Sequence, residues 1–429
     1  MGGKIHVPSE REIVVIGGGP AGLAAAIAAK EAGCDDVLLI ERDQILGGIL
    51  NQCIHDGFGL HRFKEALSGP EYAQRFIGRL EELRIPVMRN SIVLNMSRDR
   101  ELLVSRMGEL TRIQAKAVIL AMGCRERARG AISIPGHRSS GIYTAGAAQT
   151  LVNLENIMPG KHVCFLGSGD IGLIMARRMV LEGAKVEAVF GQSPWPSGLP
   201  RNVQQCLVDY GIPLYLNTTI VRIVGMGRLE GVEVATTENR RPIKGTERFV
   251  PCDTLLLSLG LIPENELARE AGISLHSITG GPVADDRCMT EIPGIFSCGN
   301  ALHVHDLVDW VSEEAERAGR GAAKYVSGMA DGAGVIKVRP GNGVRYVMPD
   351  RFTMPLNVVS DEAVISFRVN TPTKDGKVRI LLRDPSGGSD ILKEEKHSRL
   401  HPSEMTRVTL STEYTSRLKA GDVLEVEKE

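Results

Sequence analysis

Two hydrophobic patterns divide the chain. Up to about residue 330, short unbroken apolar runs end at glycine and alternate with stretches of helical character. Ile13-Val14-Val15-Ile16 is the first such run and predicts a buried strand. It meets Gly17-Gly18-Gly19-Pro20-Ala21-Gly22, then Leu23 to Ala32, an Ala-rich segment with the helix propensity and small side chains to lie flat on a sheet. Val37 to Ile40 supplies the next strand. Tyr72, Phe76, Leu80 and Leu83 recur at helical spacing after a candidate cap at Ser68 and a first-turn Pro70, and Pro86 ends that helix. Short strands are expected at Ile92 to Leu94 and Leu102 to Val104, and Ala117 to Met122 is another buried run ending at Gly123.

The succession then repeats. His162 to Leu166 runs into Gly167-Ser168-Gly169-Asp170-Ile171-Gly172, a helix pattern covers Leu173 to Leu181, and Lys185 to Phe190 reads as a strand. Residues 214 to 256 read as short strands, and the run from Thr254 ends at Gly260. Ile292 to Cys298 is a strand ending at Gly299-Asn300, and Asp309 to Tyr325 is helical, with Ala315, Ala318, Ala322 and Ala323 allowing close packing. At about Gly332 the pattern changes. Ile365, Phe367 and Val369 alternate with polar residues, and Val378, Ile380 and Leu382 do the same, as do Val408 with Leu410 and Leu424 with Val426. That period of two, between turn clusters, predicts a small antiparallel β domain, in which nothing looks catalytic.

The glycines carry the chemistry. Gly17, Gly19 and Gly22 have the G-x-G-x-x-G spacing between a strand and a helix, where backbone N–H groups and the helix dipole form an anion site. Gly17 permits the turn, Gly19 lets backbone approach a pyrophosphate, and Gly22 lets helix and strand pack closely. Glu41 ends the next strand nineteen residues after Gly22 (41 − 22), the place of a carboxylate that accepts hydrogen bonds from an adenosine ribose. The second unit repeats the glycine spacing at 167, 169 and 172, but its next strand ends in Gly191, not an acid. Glu187 is in mid-strand, and no basic pair stands close by to claim a 2′-phosphate, Arg201 being ten residues on.

Composition narrows the reading further. Lys plus Arg (51) nearly cancels Asp plus Glu (52), so no global field argues for nucleic acid or an anionic membrane. Aromatics are few, against a base-stacking platform. Met1 to Glu10 lacks an apolar core, and no apolar run reaches the roughly 18 residues of a spanning helix. None of the eight cysteines forms a Cys-x-x-Cys pair, and a reduced, cytoplasmic protein is expected.

Two nucleotide units, each followed by a strand ending in glycine, resemble the two-dinucleotide-binding-domain flavoproteins of pyridine nucleotide-disulfide oxidoreductase type, over about residues 10 to 330. The resemblance implies an α/β fold with two Rossmann-like domains, the second inserted in the first. Residues 8–125 and 259–330 would bind FAD, 126–258 would be NAD(P)-binding-like, and 335–429 would be the β domain. It places FAD on Gly17, Gly19, Pro20, Ala21, Gly22, Glu41, Arg42, Gly48, Gly123, Gly299 and Asn300. NAD(P)H would meet Gly167, Gly169, Asp170, Ile171, Gly172 and Gly260. Asn300 stands where the family has an Asp, which removes a charge at that point. The stretches from Gly47 to His55 and from Cys298 to Asp306 further resemble a bacterial subfamily encoded beside glycerol-3-phosphate dehydrogenase-type flavoproteins. Ile134 to Gln149 resembles the FAD subunits of opine, proline and sarcosine dehydrogenases or oxidases.

These resemblances imply electron transfer between NAD(P)H and a partner flavoprotein or small acceptor, within an oligomeric dehydrogenase complex of glycerol-3-phosphate or amino-acid type. Two alternatives stay open: a single-cysteine NAD(P)H peroxidase or disulfide reductase, and a structural FAD-holding subunit with a degenerate second site. Cys53 is one thiol where disulfide reductases carry two; it is either redox-active, with His55 or a helix terminus lowering its pKa, or a packed thiol. His55 and His61 are acid–base candidates. His303, His305 and Asp306 are expected near the flavin, for proton delivery or partner contact, or simply as caps of the next helix. A metal set of His303, His305 and Asp309 offers no open facial site, and no metal is assigned. Arg125, Glu126 and Arg127 read as a hinge or salt-bridge cluster between the nucleotide domains.

Overall fold

The computed structural model describes residues 5–328, 334–356, 362–385 and 387–429. The chain forms two compact units, residues 1–124 with 263–429, and residues 125–262. The junction expected at Gly332, and the end of the flavin segment at 330, lie outside the described residues.

The first unit is built on a seven-stranded sheet. Strands β1 (Ile5–Ile16), β2 (Val37–Ile40), β3 (Val87–Met88), β4 (Ser91–Met96), β5 (Glu101–Arg106) and β6 (Glu109–Leu120) lie in the order β3-β2-β1-β6-β5-β4, and Ile295–Ser297 also pairs with β6. The pairs β3-β2, β2-β1, β1-β6 and β6 with Ile295–Ser297 are parallel, whereas β6-β5 and β5-β4 are antiparallel. β6 is long enough to serve both: its first half pairs with β5 and its last residues with Ile295–Ser297. Apolar residues run unbroken at the end of β1 because both faces are covered. Ile13 and Val15 enter the core beneath the helices, and Val14 and Ile16 enter the one on the other face. Each such side chain contributes roughly 1.5–3 kcal/mol by leaving water.

Helix α1 (Pro20–Glu31) is buried from Ala21 to Ala29 and lies between the sheet and the helix Val308–Val326. A Cβ at Gly319 would come 2.2 Å from the carbonyl oxygen of Ala25, so this close crossing needs glycine there. Helix α2 (Gly69–Glu82) starts as its sequence foretells: Ser68 and Glu71 form a reciprocal capping box, with proline in the first turn.

In the second unit, five parallel strands lie in the order Leu214–Tyr215, Lys185–Phe190, His162–Leu166, Thr254–Leu257, Ile142–Thr144. A separate antiparallel sheet holds Thr218–Val224, Gly231–Glu238, Arg241–Pro242 and Arg248–Pro251.

The C-terminal segment forms a five-stranded and a three-stranded sheet around a core that includes Ile336, Phe352, Phe367, Ile380 and Leu424. Its pairings are antiparallel except that Val335–Pro340 runs parallel to Val423–Lys428. It belongs to the same compact unit as the first nucleotide sheet, and its Tyr346 and Met348 enter the core that contains α1.

Candidate functional site

Gly17 has φ +106°, and a Cβ there would lie 2.5 Å from the carbonyl oxygen of Ala121, so strand end and turn meet backbone to backbone. A Cβ at Gly22 would lie 1.7 Å from the carbonyl oxygen of Gly17. At Gly19 the nearest atom would be the Gly48 Cα, 4.0 Å away, so the space in front of this glycine is open. Gly19 is the N-cap of α1 and no side chain caps the helix, which leaves the first-turn N–H groups of Ala21 and Gly22 available to an anion. Pro20 fixes the first helical φ without removing a needed donor.

Two more backbone segments converge here. The N–H of Gly47 donates to the Gly18 carbonyl at 2.8 Å, and Gly48 (φ +55°) sits so close that a Cβ would be 3.0 Å from the Gly19 Cα. At the end of Ile295–Ser297, a Cβ on Gly299 would be 2.7 Å from the Ala21 Cβ. Glu41 is buried at the end of β2, its Oε2 accepting from the Gly18 N–H at 2.5 Å and its Oε1 from the Asp43 N–H at 2.8 Å. Each oxygen keeps a second lone pair for a ribose hydroxyl. This is a cradle that side chains would fill and an acid set at its ribose end, and the residues fit FAD. Arg42 is exposed beside it, and Gly123 has φ +70° where β6 runs out.

Asn300 is held on both sides of its amide, donating to the Cys124 Sγ at 3.6 Å and accepting from the His305 N–H at 3.0 Å. His303 is buried and His305 partly so, their rings lie 4.1 Å apart, and both Nε2 atoms face Glu314 Oε2, at 2.7 and 3.4 Å. Glu314 Oε1 accepts from the Gly299 N–H at 2.9 Å. Burial works against charge on Glu314, but the two imidazoles and their N–H groups overcome it and hold the acid well below the usual carboxylate range. Burial lowers His303 below its ordinary value despite Glu314. The pair is thus carboxylate and neutral imidazole, with Nε2–H donating and Nδ1 bare. The Nδ1 atoms of His303 and His305 are both buried without a protein partner. The His303 Nδ1 is an acceptor beside Gly299-Asn300, and it suits a polyhydroxyl chain such as ribityl.

Among the described residues, one group with metal-ligating atoms close enough to share an ion is His303, His305 and Glu314. Asp309, considered in that role from sequence, is instead occupied by the Arg62 N–H at 3.1 Å. Sequence reading missed Glu314, although it lies on the buried stripe of its helix with Val311 and Ala318, a carboxylate where the pattern asks for apolar residues. Asp306, expected near the flavin, is bound by Arg368 of the C-terminal β segment and accepts from the Met405 N–H at 2.7 Å.

Cys53 ends the short 3-10 turn Gly48–Gln52, and its Sγ donates to the Ile49 carbonyl at 3.3 Å. Burial pushes the thiol up to about 12, opposite to what a reactive thiolate needs. The neighbouring His55 packs on Phe58 with ring centroids 5.1 Å apart, and His61 on Trp310 at 4.9 Å. Glu126, expected with Arg125 and Arg127 in a hinge or salt-bridge cluster, also holds a helix start. Both its oxygens accept from the Gly146 N–H at 2.9 Å, at the start of the helix Ala145–Asn153.

The second unit repeats the first. Gly167 (φ +102°) would place a Cβ 1.9 Å from the Ser258 carbonyl oxygen, and Gly172 would place one 2.7 Å from the Ser258 Cβ. Gly169 caps the helix Asp170–Leu181, so Ile171 and Gly172 present first-turn N–H groups. Asp170 points elsewhere, its Oδ1 accepting from the Leu199 N–H at 2.7 Å and Asn202 Nδ2 at 2.6 Å. Gly260, where the Thr254–Leu257 run ends, has φ +88° and accepts from the Arg127 N–H at 3.0 Å.

The pyridine nucleotide-disulphide oxidoreductase pattern matches residues 11–320, across both glycine turns and the Gly299-Asn300 end. The chain belongs to that family. Its members are oxidoreductases that use FAD and NAD(P)H. Over 348 residues the chain is 27% identical to one subunit of the opine oxidase of Agrobacterium tumefaciens (strain Ach5), covering 73% of this chain and 64% of that protein. It is 23% identical to a ferredoxin–NADP reductase of Ignicoccus hospitalis, covering 74% and 98%. Its fold is similar to that of T. acidophilum thioredoxin reductase, with a TM-score of 0.61 at 20% identity, covering 75% of this chain and 99% of that one. The match to the opine oxidase polypeptide thus leaves about a third of that protein's length uncovered. No helix among the described residues is long and apolar enough to cross a membrane.

Proposed function

We propose that this chain is an FAD-dependent oxidoreductase that passes electrons between NAD(P)H and a partner flavoprotein or small acceptor. It would work in the cytoplasm within an oligomeric dehydrogenase complex that oxidises a small polyol phosphate or amino acid. The observation that carries the reading is the first glycine cradle with buried Glu41 at its end, set on the same chain as a second, complete glycine turn. Similarity to a polypeptide named as part of an opine oxidase supports a place in a complex. The stretches from Gly47 to His55 and from Cys298 to Asp306 support the glycerol-3-phosphate-type association.

Bound FAD would supply the hydride chemistry. The protein's own residues then divide the work. Gly17, Gly19, Ala21, Gly22 and Gly48 would give the pyrophosphate a backbone cradle, and Glu41 would fix the ribose. Asn300, His303 and His305 would position the flavin side of the cofactor, with Glu314 holding both imidazoles as Nε2–H donors to itself. Asn300 in place of Asp would add no negative charge beside the flavin, and the one carboxylate at that place, Glu314, would be engaged by the Gly299 N–H and the two imidazoles.

A second reading, a flavin-holding structural subunit, is favoured by one observation: the strand Lys185–Phe190 ends at Gly191 without a ribose acid. Anaerobic mixing with NADH and, separately, NADPH decides between them. Bleaching of the flavin band by either donor is the expected result, and no bleaching by either selects the structural role.

A further inference from the structure

The end of the second strand is where a Rossmann-type unit reads the adenosine ribose. In this chain that corner is made from a distant segment. Gln192, directly after Gly191, donates from Nε2 to the carbonyl of Arg240 at 2.6 Å, across a sequence separation of 48. Its own carbonyl accepts from Thr237 Oγ1 at 3.2 Å. The carbonyl of Ser193 accepts from the Asn217 N–H at 3.2 Å, and the Asn217 carbonyl accepts from the Thr237 N–H at 2.7 Å. These bonds fasten the hairpin of Gly231–Glu238 and Arg241–Pro242 to the strand end. Its tip, Asn239-Arg240, has both residues in the left-handed region (φ +50° and +63°), as a tight two-residue hairpin turn requires.

The consequence is a pair of consecutive exposed arginines, Arg240 and Arg241, on a hairpin fastened to a strand end that itself carries no acid. Arg240 and Arg241 are exposed, and among the described residues neither has a carboxylate partner. Glu238, the register partner of Arg241, makes no ion pair with it, and Glu247 Oε2 is occupied by the Gly245 N–H at 2.7 Å. Two unpaired guanidinium groups match a phosphomonoester, which accepts charge-assisted hydrogen bonds from each, and they give a ribose 2′-hydroxyl much less.

We infer that Arg240 and Arg241 form a subsite for the 2′-phosphate of NADP(H), so that the second unit takes NADPH in preference to NADH. This rests on reading that unit as a pyridine-nucleotide site. Without the hairpin, the strand end would have neither the acid that selects NADH nor the base that selects NADPH.

The test is calorimetric titration of the full-length flavoprotein with 2′,5′-ADP and with 5′-AMP, a pair that differs only in the phosphate. The wild type should bind 2′,5′-ADP at least about tenfold more tightly, with an affinity that falls as salt is raised. In the double variant Arg240→Gln, Arg241→Gln the preference should drop to about twofold or less, with 5′-AMP affinity and thermal melting unchanged, because both side chains are exposed. Equal binding of the two ligands by the wild type overturns the inference, as does a double variant that keeps the preference. If neither ligand binds, the pyridine-nucleotide reading of the unit fails, and the subsite with it.

Discussion

Nε2 of His303 lies 2.7 Å from Oε2 of Glu314, and both residues are buried where the strand Ile295–Ser297 gives way to the helix Val308–Val326. The same carboxylate receives the Gly299 N–H and faces the His305 Nε2 at 3.4 Å, so one acid fixes a backbone turn at the proposed flavin site and the orientation of two imidazoles.

This pair predicts a pH dependence of stability. His303 has its folded-state value below its ordinary 6.5, so its contribution is complete above that and is lost as pH falls through the folded value. Glu314 is likewise held below its ordinary 4.5, so its contribution is present above that value and is lost on further acidification. Denaturant midpoints of wild type and His303→Gln, measured between about pH 4 and 8, should converge as pH falls below about 6.5. A constant gap between the two across that range excludes His303 as a source of acid lability.

Asp286 should act in the opposite sense. Burial and the adjacent Asp285 push it up to about 7, while it accepts from the Thr353 N–H of the β domain at 2.9 Å. A carboxyl raised in the folded state contributes most below its ordinary 3.8, and that contribution is lost as pH rises towards about 7. Asp286→Asn keeps the hydrogen-bond acceptor and cannot ionise. Its stability relative to wild type should therefore increase between about pH 4 and 7 and level off above. A ratio independent of pH would remove Asp286 from this role.

The C-terminal β segment is fastened to the start of the long helix by ion pairs. Arg368 pairs with Asp306 and also donates to Tyr346 Oη at 3.1 Å, and Arg407 pairs with Glu313 while lying 4.0 Å over the Trp310 ring. Burial works against the charge on Arg368, but Asp306 and Tyr346 together hold the guanidinium above its usual range. Removing one member of a buried pair strands the other, at a cost of roughly 3–5 kcal/mol. Arg368→Ala should therefore lower the denaturation midpoint sharply and release flavin at lower denaturant than wild type. The double variant Arg368→Met, Asp306→Asn should recover part of the loss. If Arg368→Ala melts like the wild type, the pair does not fasten the domain. On the same grounds, a chain cut before residue 335 should retain FAD poorly, since that cut takes Arg368 from Asp306, Arg407 from Glu313 and the Thr353 N–H from Asp286.

At the cradle, the glycines permit a sharper test. Gly48→Ala puts a Cβ on a residue with φ +55° and 3.0 Å from the Gly19 Cα. The left-handed conformation alone costs roughly 1–2 kcal/mol, and the contact pushes the second turn off the first. The expected product is folded protein with a reduced flavin-to-protein ratio in its visible spectrum. Gly211→Ala, at φ +62° with nothing within 4 Å, is the matched control for positive φ. Full flavin occupancy in Gly48→Ala would falsify the placement of the pyrophosphate between the two turns.

Much of this architecture is legible along the chain because it depends on local signals. The glycine spacing, the unbroken apolar strands and the Ser68–Glu71 box each act within a few residues, and all three elements form where the pattern puts them. What the sequence hides depends on pairings between distant segments. Glu126 looks like part of a charged cluster with Arg125 and Arg127, but the fold brings it to a helix start at Gly146. Asp306 sits among flavin-site residues in sequence yet faces Arg368, 62 residues away. Arg240 is 48 residues from Gln192, and only the antiparallel sheet brings them together. Glu314 was within reach, because a carboxylate on an apolar helical stripe is itself a signal.

Cys53 supplies the last prediction, which bears on the peroxidase or disulfide-reductase alternative. Its thiol donates to the Ile49 carbonyl and is pushed up to about 12 by burial. At pH 8 only about one molecule in ten thousand would hold a thiolate there, too few for a fast nucleophile. Iodoacetamide should therefore label Cys53 far more slowly than it labels a small free thiol at the same pH. Cys53→Ser should keep flavin reduction by NAD(P)H within about twofold of wild type, since the hydroxyl can make the same donor contact. Peroxide and thiol-disulfide turnover should be low in both proteins. Rapid labelling together with loss of peroxide turnover in Cys53→Ser would move the chain to the single-thiol reductases and reverse the assignment of Cys53 as a packed residue.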